Sequence, residues 1–483
     1  YLAVLLPVCF ALAAPGSAGP ATAASLYLPL EGPVAADVER MAILSRMPCL
    51  IGPYPADLVR LYNEKIRVSH PELYTRIVRE LDRREASRWR RQRVLLEAAR
   101  GTGARWAIPN GHGRDNRVDL RAAGSWAVDP PGGHLAAALG LEARSEAGQV
   151  HLLAENCHLS AGWRLLQLDL GWRDRWYGAP GDGALLMSTQ AQNAPSISLG
   201  NTLPWSPLRI RGETFVALLE KMSSIEHEGR LSSGRPLLIG MTLALSPFPG
   251  GEISLARCFQ TAGGRRPGFT LRRFWDAFFR PADADNAFPG GVPSDEEFGN
   301  QLASASAVLH LPWVGARLDA TYGAEDTNGN SNTRIGTRAK ILGLQWPFRR
   351  GRLLLQRSFH RDRWYAHVLY RDGYINQGYG LGHWMRDTRA PGDSHGGYTH
   401  TASVRQEFGR ATIVEAHFRN VELRRTSGSS QLDPIPYVLG YEIGGSVSQP
   451  LDRAGTWRVA VDVAGGRTPL DRGFGLASVS LTR

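Results

Sequence analysis

From about Gly103 to the end of the chain, short segments alternate between apolar and polar residues. Apolar residues alternate with mainly charged or polar ones in three clear examples: Leu318, Ala320 and Tyr322 against Arg317, Asp319 and Thr321; Val414, Ala416 and Phe418 against Glu415, His417 and Arg419; Trp457, Val459, Val461 and Val463 against Arg458, Ala460 and Asp462. Successive side chains of a strand point to opposite faces, so each segment has one face in an apolar medium. The other face is too charged for the far side of a soluble sandwich. The pattern is typical of strands with lipid outside, a polar lumen inside and aromatic girdles.

The length of the alternating region indicates how many strands it supplies. At roughly 20 residues for each strand and its connection, residues 104–483 provide about 18 strands, an even number of the kind found in bacterial barrels. The sequence therefore predicts a mostly β fold, a transmembrane antiparallel β-barrel. The same interpretation places Phe215, Ala217 and Leu219 on the lipid face.

The residues before the barrel have a different pattern. Residues 1–24 have an apolar run followed by small residues, which predicts a signal peptide and export. Residues 25–103 are expected to form a small periplasmic α-helical bundle. Helices are expected over 33–47, from Pro55, and from His70 past Trp89 to about Arg100, with apolar residues at helical spacing.

The composition is basic, with a formal net charge of +11 and a pI of about 9.8. Such a charge suits nucleic acid, anionic lipid or an acidic polymer. The sequence has no basic helix, zinc-ligand spacing or RNA-binding aromatic signature, so we do not expect nucleic acid as a partner. Lumen-facing and solvated arginines explain much of the charge, and an anionic polymer remains the alternative.

Two aromatic and arginine clusters are candidate carbohydrate-binding sites. Flat aromatic rings pack against the apolar face of a sugar, and arginine binds uronate carboxylates through two hydrogen bonds. The candidate residues are Arg173, Arg175, Trp176 and Tyr177 in one loop, and Tyr379, His383, Trp384 and Arg386 in another. The alternative is that these aromatic residues belong to a girdle or pack their own turns.

No motif in the sequence supports catalysis or a bound metal. Glu325 and Asp326 followed by Asn328 and Asn330 lack the glycine and final glutamate of a calcium loop. Cys49, Cys157 and Cys258 have no metal or disulfide spacing, although one bridge stays open. We therefore predict a protein that is not an enzyme and has no cofactor.

Several motifs resemble, in order, those of the Wzi-type capsule assembly proteins of the bacterial outer membrane. The motifs are the aromatic turn 175–181, the run 185–188, Asn193-Ala194-Pro195, Arg235-Pro236-Leu237, Phe274-Trp275-Asp276, Tyr322-Gly323-Ala324-Glu325-Asp326 and Tyr379-Gly380-Leu381-Gly382-His383. The resemblance covers roughly residues 26–480. It implies an outer-membrane barrel of about 18 strands with a periplasmic helical bundle, and a lectin-like role in organising capsular polysaccharide.

The predicted function follows from the barrel pattern and this resemblance. We expect a non-enzymatic outer-membrane protein that attaches capsular or another anionic polysaccharide to the surface, in contact with outer-membrane lipid and lipopolysaccharide. A porin or solute channel of the same architecture is the alternative.

Overall fold

The computed structural model describes residues 24–30, 32–84, 90–128, 133–146, 148–163, 166–281, 295–327, 335–348, 350–409, 411–424, 436–452 and 457–483. The expected signal peptide lies outside these residues except for Ala24, as do Trp89, Asn328 and Asn330. Within the described ranges, no helix has the length and apolar character needed to cross a membrane. Cys49 and Cys258 are buried, Cys157 is half-buried, and all three are unpaired.

The chain contains three N-terminal α-helices, a later fourth helix and 25 strands within the described residues. The helices are α1 Gly32–Ser45, α2 Ala56–Asn63, α3 Pro71–Arg84 and α4 Leu271–Phe279, with 3-10 turns at Glu64–Ile66 and Trp384–Thr388. The strands are β1 Ile51–Gly52, β2 Arg90–Gly103, β3 Val118–Val128, β4 Leu135–Glu146, β5 Gln149–Ala154, β6 His158–Trp163, β7 Leu166–Trp172, β8 Trp176–Tyr177, β9 Pro195–Asn201, β10 Arg211–Leu218, β11 Met222–His227, β12 Arg230–Gly234, β13 Leu237–Phe248, β14 Gly251–Thr261, β15 Gly299–Leu311, β16 Ala316–Thr327, β17 Ile335–Phe348, β18 Gly351–His360, β19 Ile375–Asn376, β20 Tyr379–Gly380, β21 Gly397–Phe408, β22 Thr412–Leu423, β23 Gly440–Pro450, β24 Arg458–Arg467 and β25 Gly473–Thr482.

The long strands form one closed antiparallel barrel. Strands β5 and β6 both pair with β4 and share one position in the wall, so the described strands make an 18-stranded barrel. The barrel closes where β2 pairs with β25, with Leu95 opposite Thr482. Closure leaves no unpaired edge, and every backbone group of the wall can bond to a neighbouring strand. The predicted strand number and fold class are confirmed.

The predicted third helix was wrong beyond Arg84. Helix α3 ends at Arg84, and residues 90–103 form β2, the strand that closes the barrel. The sequence 94–100 is rich in Leu, Glu, Ala and Arg, which favour helices in isolation. Hydrogen bonding to β3 and β25 on both sides outweighs that preference. The expected boundary at residue 103 is therefore too late, because the barrel begins at Arg90.

The outer surface of the barrel is apolar, as the alternation predicts. Val150 and Leu152 are 73% and 81% exposed, whereas the inward Arg317 is fully buried. A continuous band of exposed Leu, Val and Ile indicates a lipid environment. Phe215 and Ala217 were assigned to the wrong face: they are buried inside, and Val216 and Leu218 point outward. The inner face is apolar there because it packs against other apolar segments, so alternation alone could not determine the register.

The two ends of the barrel differ. At one end, short connections follow β13, β15 and β17; at the other, longer connections follow β14, β18 and β22. Helices α1–α3 lie at the short-turn end, where Arg76 reaches Glu407 of β21 at 3.3 Å. In outer-membrane barrels the short turns lie on the periplasmic side and the long loops on the cell-surface side.

A continuous apolar core occupies the inside of the barrel. The helices contribute residues at helical spacing, including Val38, Met41, Leu58, Leu73 and Ile77. The same cluster continues through Tyr177, Leu185 and Leu186 to Tyr365, Tyr374 and Leu381, and includes the inward Phe215, Leu302 and Ile341 of the wall. The apolar core therefore extends through the interior from the helices to the long loops, along the wall strands β10, β13–β15 and β17.

Candidate functional site

Two long-loop segments fold back into the barrel and carry the predicted site residues. Inner loop 1 comprises residues 173–194, between β7 and β9, and inner loop 2 comprises residues 361–396, between β18 and β21. Strand β8 of inner loop 1 pairs with β1 of the N-terminal segment, with Ile51 opposite Tyr177. The next residue, Gly178, has a φ of 121° and donates its N–H to the carbonyl of Leu50 at 3.0 Å. The N-terminal segment and inner loop 1 thus meet inside the barrel.

The two arginines of inner loop 1 share one carboxylate. Arg173 and Arg175 both donate to Glu213 of β10, Arg175 through Nε at 3.0 Å, and Arg173 also lies 3.5 Å from Asp169. Each guanidinium stacks on an aromatic ring, Arg173 at 4.2 Å from Tyr27 and Arg175 at 4.1 Å from Phe215. Both arginine side chains are 4% exposed, so neither guanidinium is presented to solvent.

Trp176 and Tyr177 are also buried. The indole N–H of Trp176 donates to the carbonyl of Ala179 at 3.1 Å, and the Tyr177 hydroxyl donates to Glu213 at 3.3 Å. Their exposed fractions are 6% and 1%. These contacts agree with the alternative interpretation, in which the two aromatic residues pack their own turn.

Asp182 of inner loop 1 connects the two predicted clusters. Its Oδ2 accepts from the Trp384 indole at 2.9 Å and from Thr401 of β21 at 2.6 Å, and its Oδ1 accepts from Arg419 of β22 at 2.8 Å. Burial raises the pKa of Asp182, but the charge of Arg419 and these hydrogen bonds outweigh burial and hold the pKa below its usual value. Asp182 is therefore an ionised, fully bonded anchor between the loops and the wall.

Tyr379 of inner loop 2 lies beneath a pair of arginines. Its hydroxyl accepts from Nη2 of Arg105 at 2.6 Å and donates to Asp115 at 3.1 Å. Asp115 also pairs with Arg105 at 2.6 Å and with Arg117 at 2.9 Å. The Asp115 side chain is fully buried, whereas those of Arg105 and Arg117 are 51% and 47% exposed. The pair presents guanidinium groups at the long-loop end of the barrel.

His383, Trp384 and Arg386 support the 3-10 turn of inner loop 2. The Nδ1 of His383 accepts from the N–H of Met385 at 3.2 Å, which caps the turn. Burial lowers the pKa of His383 to about 4, so the ring is neutral at physiological pH. Arg386 donates to the carbonyl of Asp372 at 2.8 Å and pairs with Asp387 at 3.2 Å, with a side chain 25% exposed.

The eight predicted residues thus fall into two groups, joined through Asp182. Seven of them are buried, and Arg386 is partly exposed. Sequence reasoning missed Asp182, Arg105, Arg117 and Glu213. Asp182 carried a weak signal, an acidic residue between two glycines directly after the aromatic turn 175–181, whereas Arg105, Arg117 and Glu213 belong to no motif. The carbohydrate-binding role of the eight residues stays a prediction.

Comparison with known proteins identifies a family and a similar fold. A model of the capsule assembly protein Wzi family matches residues 101–467. The fold is similar to that of Wzi, described as an outer membrane protein involved in group 1 capsule assembly in Escherichia coli and a carbohydrate binding β-barrel, with TM-score 0.70 and 14% identity over 96% of this chain and 99% of that chain. Pseudomonas aeruginosa OccK11 (OpdR) matches at TM-score 0.46 and 10% identity, over 82% of this chain and 95% of its own. Comparison with curated proteins found no match.

Proposed function

This chain belongs to the capsule assembly protein Wzi family, and we propose that it holds capsular or another anionic polysaccharide at the cell surface as a non-enzymatic, lectin-like barrel. We also propose an outer-membrane location, with lipid and lipopolysaccharide around the barrel and export by a signal peptide over residues 1–24. The apolar outer band supports the membrane part of this proposal.

The packed interior is the observation that favours a binding protein over a channel. One apolar cluster runs from α1–α3 through inner loop 1 to inner loop 2. A porin of this size keeps a polar, water-filled lumen. Here the charges of the inner wall are used in ion pairs with the loops, such as Arg419 with Asp182 at 2.8 Å. The arrangement supports a rigid platform whose outer loops meet the polymer.

The contact surface that fits an anionic polymer best is formed by Arg105 and Arg117. Both side chains are about half exposed at the cell-surface end, and Asp115 and Tyr379 hold them in place from below. Arginine binds carboxylates through two parallel hydrogen bonds, which suits a uronate-containing polysaccharide. We propose that the eight residues predicted from the sequence serve this surface mainly by fixing inner loops 1 and 2.

The test measures how polysaccharide divides between cells and medium in a deletion strain complemented with variants. R105Q/R117Q/D115N removes both guanidiniums and also the buried carboxylate, which would otherwise lose both of the cations that pair with it. We expect total polymer to stay constant and the released fraction to rise severalfold. K65Q/R67Q, at exposed positions of the short-turn end, is the matched control and should retain polymer as the parent does. Unchanged division in the deletion strain itself would overturn the proposed function.

A further inference from the structure

The outer face of the barrel carries a cluster of cations at the long-loop end, in strands β16–β18, β21 and β22. Antiparallel register places Tyr322, Lys340, Phe359, Tyr398 and Glu422 side by side across the five strands. The next row toward the short-turn end contains Leu342, Arg357, His400 and Asn420. Residues opposite each other in adjacent strands share a face, so these side chains all point toward the lipid side.

The positive charges in this cluster lie close together. The guanidiniums of Arg357 and Arg424 both lie over the Tyr398 ring, at 5.2 Å and 4.5 Å from its centroid. They are therefore no more than about 10 Å apart. Lys340 lies 5.7 Å from the Tyr322 ring, and Arg338 is exposed one row beyond it. Among the described side chains of these rows, Glu422, 3.4 Å from Arg424, is the carboxylate that faces them.

An apolar groove of about 430 Å³ begins beneath the cations. Leu342, Leu344, Leu355 and Phe418 form its sides, and the small side chain of Ala402 leaves the space between them. Arg357 and His400 close its upper end, and the Nδ1 of His400 is bonded to Asn420 at 2.9 Å. A groove lined by hydrocarbon and ending at cations has the shape and polarity of an acyl chain joined to an anionic headgroup.

The depth of the cluster fits the boundary of the outer leaflet. Tyr398 lies near the long-loop end of β21 and the exposed Phe408 lies at its short-turn end. The strand between them spans about 33 Å, which a strand tilt of about 40° reduces to about 25 Å. That is the height of the apolar band in such barrels, so Lys340, Arg357 and Arg424 lie at headgroup level.

We propose that this cluster and groove bind a phosphorylated glycolipid of the outer leaflet, namely lipopolysaccharide. A phosphate group contacts Lys340, Arg357 and Arg424, and one acyl chain lies along Leu342, Leu355 and Phe418. This inference rests on the proposed outer-membrane location alone and does not depend on polysaccharide attachment. Such a site makes lipopolysaccharide binding specific to the side of the barrel formed by β16–β18, β21 and β22.

The test titrates the purified full chain in detergent with diphosphorylated lipid A and with the same lipid lacking both phosphates, using native mass spectrometry. Each cation near a charged lipid surface contributes about 1 kcal/mol, so K340Q/R357Q/R424Q should bind the diphosphorylated lipid on the order of a hundredfold more weakly. K65Q/R67Q/R79Q removes the same charge from exposed positions at the other end and should bind as the parent does. A402F fills the groove and should weaken binding of both lipids.

Three outcomes would overturn the inference: equal binding of the two lipids by the parent protein, unchanged binding by K340Q/R357Q/R424Q, or displacement by inorganic phosphate at concentrations equal to the lipid. Heat-modifiable migration on gels confirms that each variant is folded, so weak binding cannot be ascribed to unfolding. The polymer-retention assay run on K340Q/R357Q/R424Q separates the glycolipid site from the proposed polysaccharide attachment. Retention can persist when glycolipid binding is lost, and glycolipid binding can persist when retention is lost.

Discussion

Asp182 and His383 show how single buried side chains hold the inner loops in place. Asp182 bonds to Trp384 of inner loop 2 and to Arg419 and Thr401 of the barrel wall. His383 caps the turn that positions Trp384, and its ring is 4.9 Å from that of His360. Both side chains are almost fully buried, so a change in the charge of either residue affects folding rather than direct contact with polymer.

We predict that Asp182→Ala destabilises the protein by about 3 kcal/mol, because three buried donors lose their acceptor. For a chain of this size, that corresponds to a fall in apparent melting temperature of about 3 °C. Intrinsic tryptophan fluorescence of the purified protein in detergent measures this melting temperature. Asp82→Ala, at a side chain 61% exposed, is the control and should change stability by well under 1 kcal/mol. Equal effects of the two substitutions would contradict the anchoring role of Asp182.

Stability should also depend on pH through His383. Burial lowers its pKa from 6.5 to about 4 in the folded state, so between these values the unfolded chain binds a proton that the folded chain does not. The contribution of His383 to stability is therefore complete above pH 6.5 and falls as the pH drops toward 4, by about 3 kcal/mol at most. H383N keeps a capping acceptor without a titrating group, and its melting temperature should decrease less between pH 7.5 and pH 4. A parallel decrease in parent and variant would assign the pH effect to other groups.

At the scale of elements, helix α4 is unusual because it covers the outside of the barrel. Phe259 of β14 points outward yet is completely buried, because Phe274 of α4 packs against it at 5.5 Å between ring centroids. Arg257, also outward, donates to the carbonyls of Phe278 and Ala277 at the helix C-terminus. Leu271, Trp275 and Phe279 form a largely exposed apolar stripe along the helix, four residues apart.

We predict that Phe274→Ala detaches α4 from the wall, because it removes the aromatic contact with Phe259 and leaves a cavity that costs about 3 kcal/mol. Trypsin added to intact cells should then cleave at Arg272 or Arg273 at least about tenfold faster. Leu271→Ala, at a position 62% exposed, is the control and should leave the rate unchanged. Cleavage at the parent rate in the Phe274 variant would show that other contacts hold the helix.

At the scale of the whole molecule, the barrel is closed around a core built from both ends. The N-terminal segment and inner loop 1 join through β1 and β8, and neither could form this small sheet alone. We expect the purified protein in planar bilayers to show no stable conductance step, because the apolar core that joins α1–α3 to inner loops 1 and 2 obstructs the barrel from one end to the other. A porin of similar size serves as positive control. Reproducible single-channel currents would favour the solute-channel alternative.

The alternating pattern by itself determined that residues beyond Gly103 form antiparallel strands, about how many, and that a barrel results, because period two and turn residues are local properties of the chain. The two aromatic and arginine clusters were also visible as loop segments. The burial of these clusters was not visible from the sequence, because Arg173 and Arg175 pair with Glu213, about 40 residues away in sequence.

The tertiary structure alone decided three further points: that residues 90–103 close the barrel as β2, that Phe215 faces inward, and that Asp182 joins the two inner loops. Each depends on contacts between residues distant in sequence. The choice between helix and strand for residues 90–103 was decided by hydrogen bonding to β25, at the opposite end of the chain. Phe215 faces inward because it packs against the apolar core inside the barrel. Local propensity carries no information about either partner, which is why these features appear only in the folded molecule.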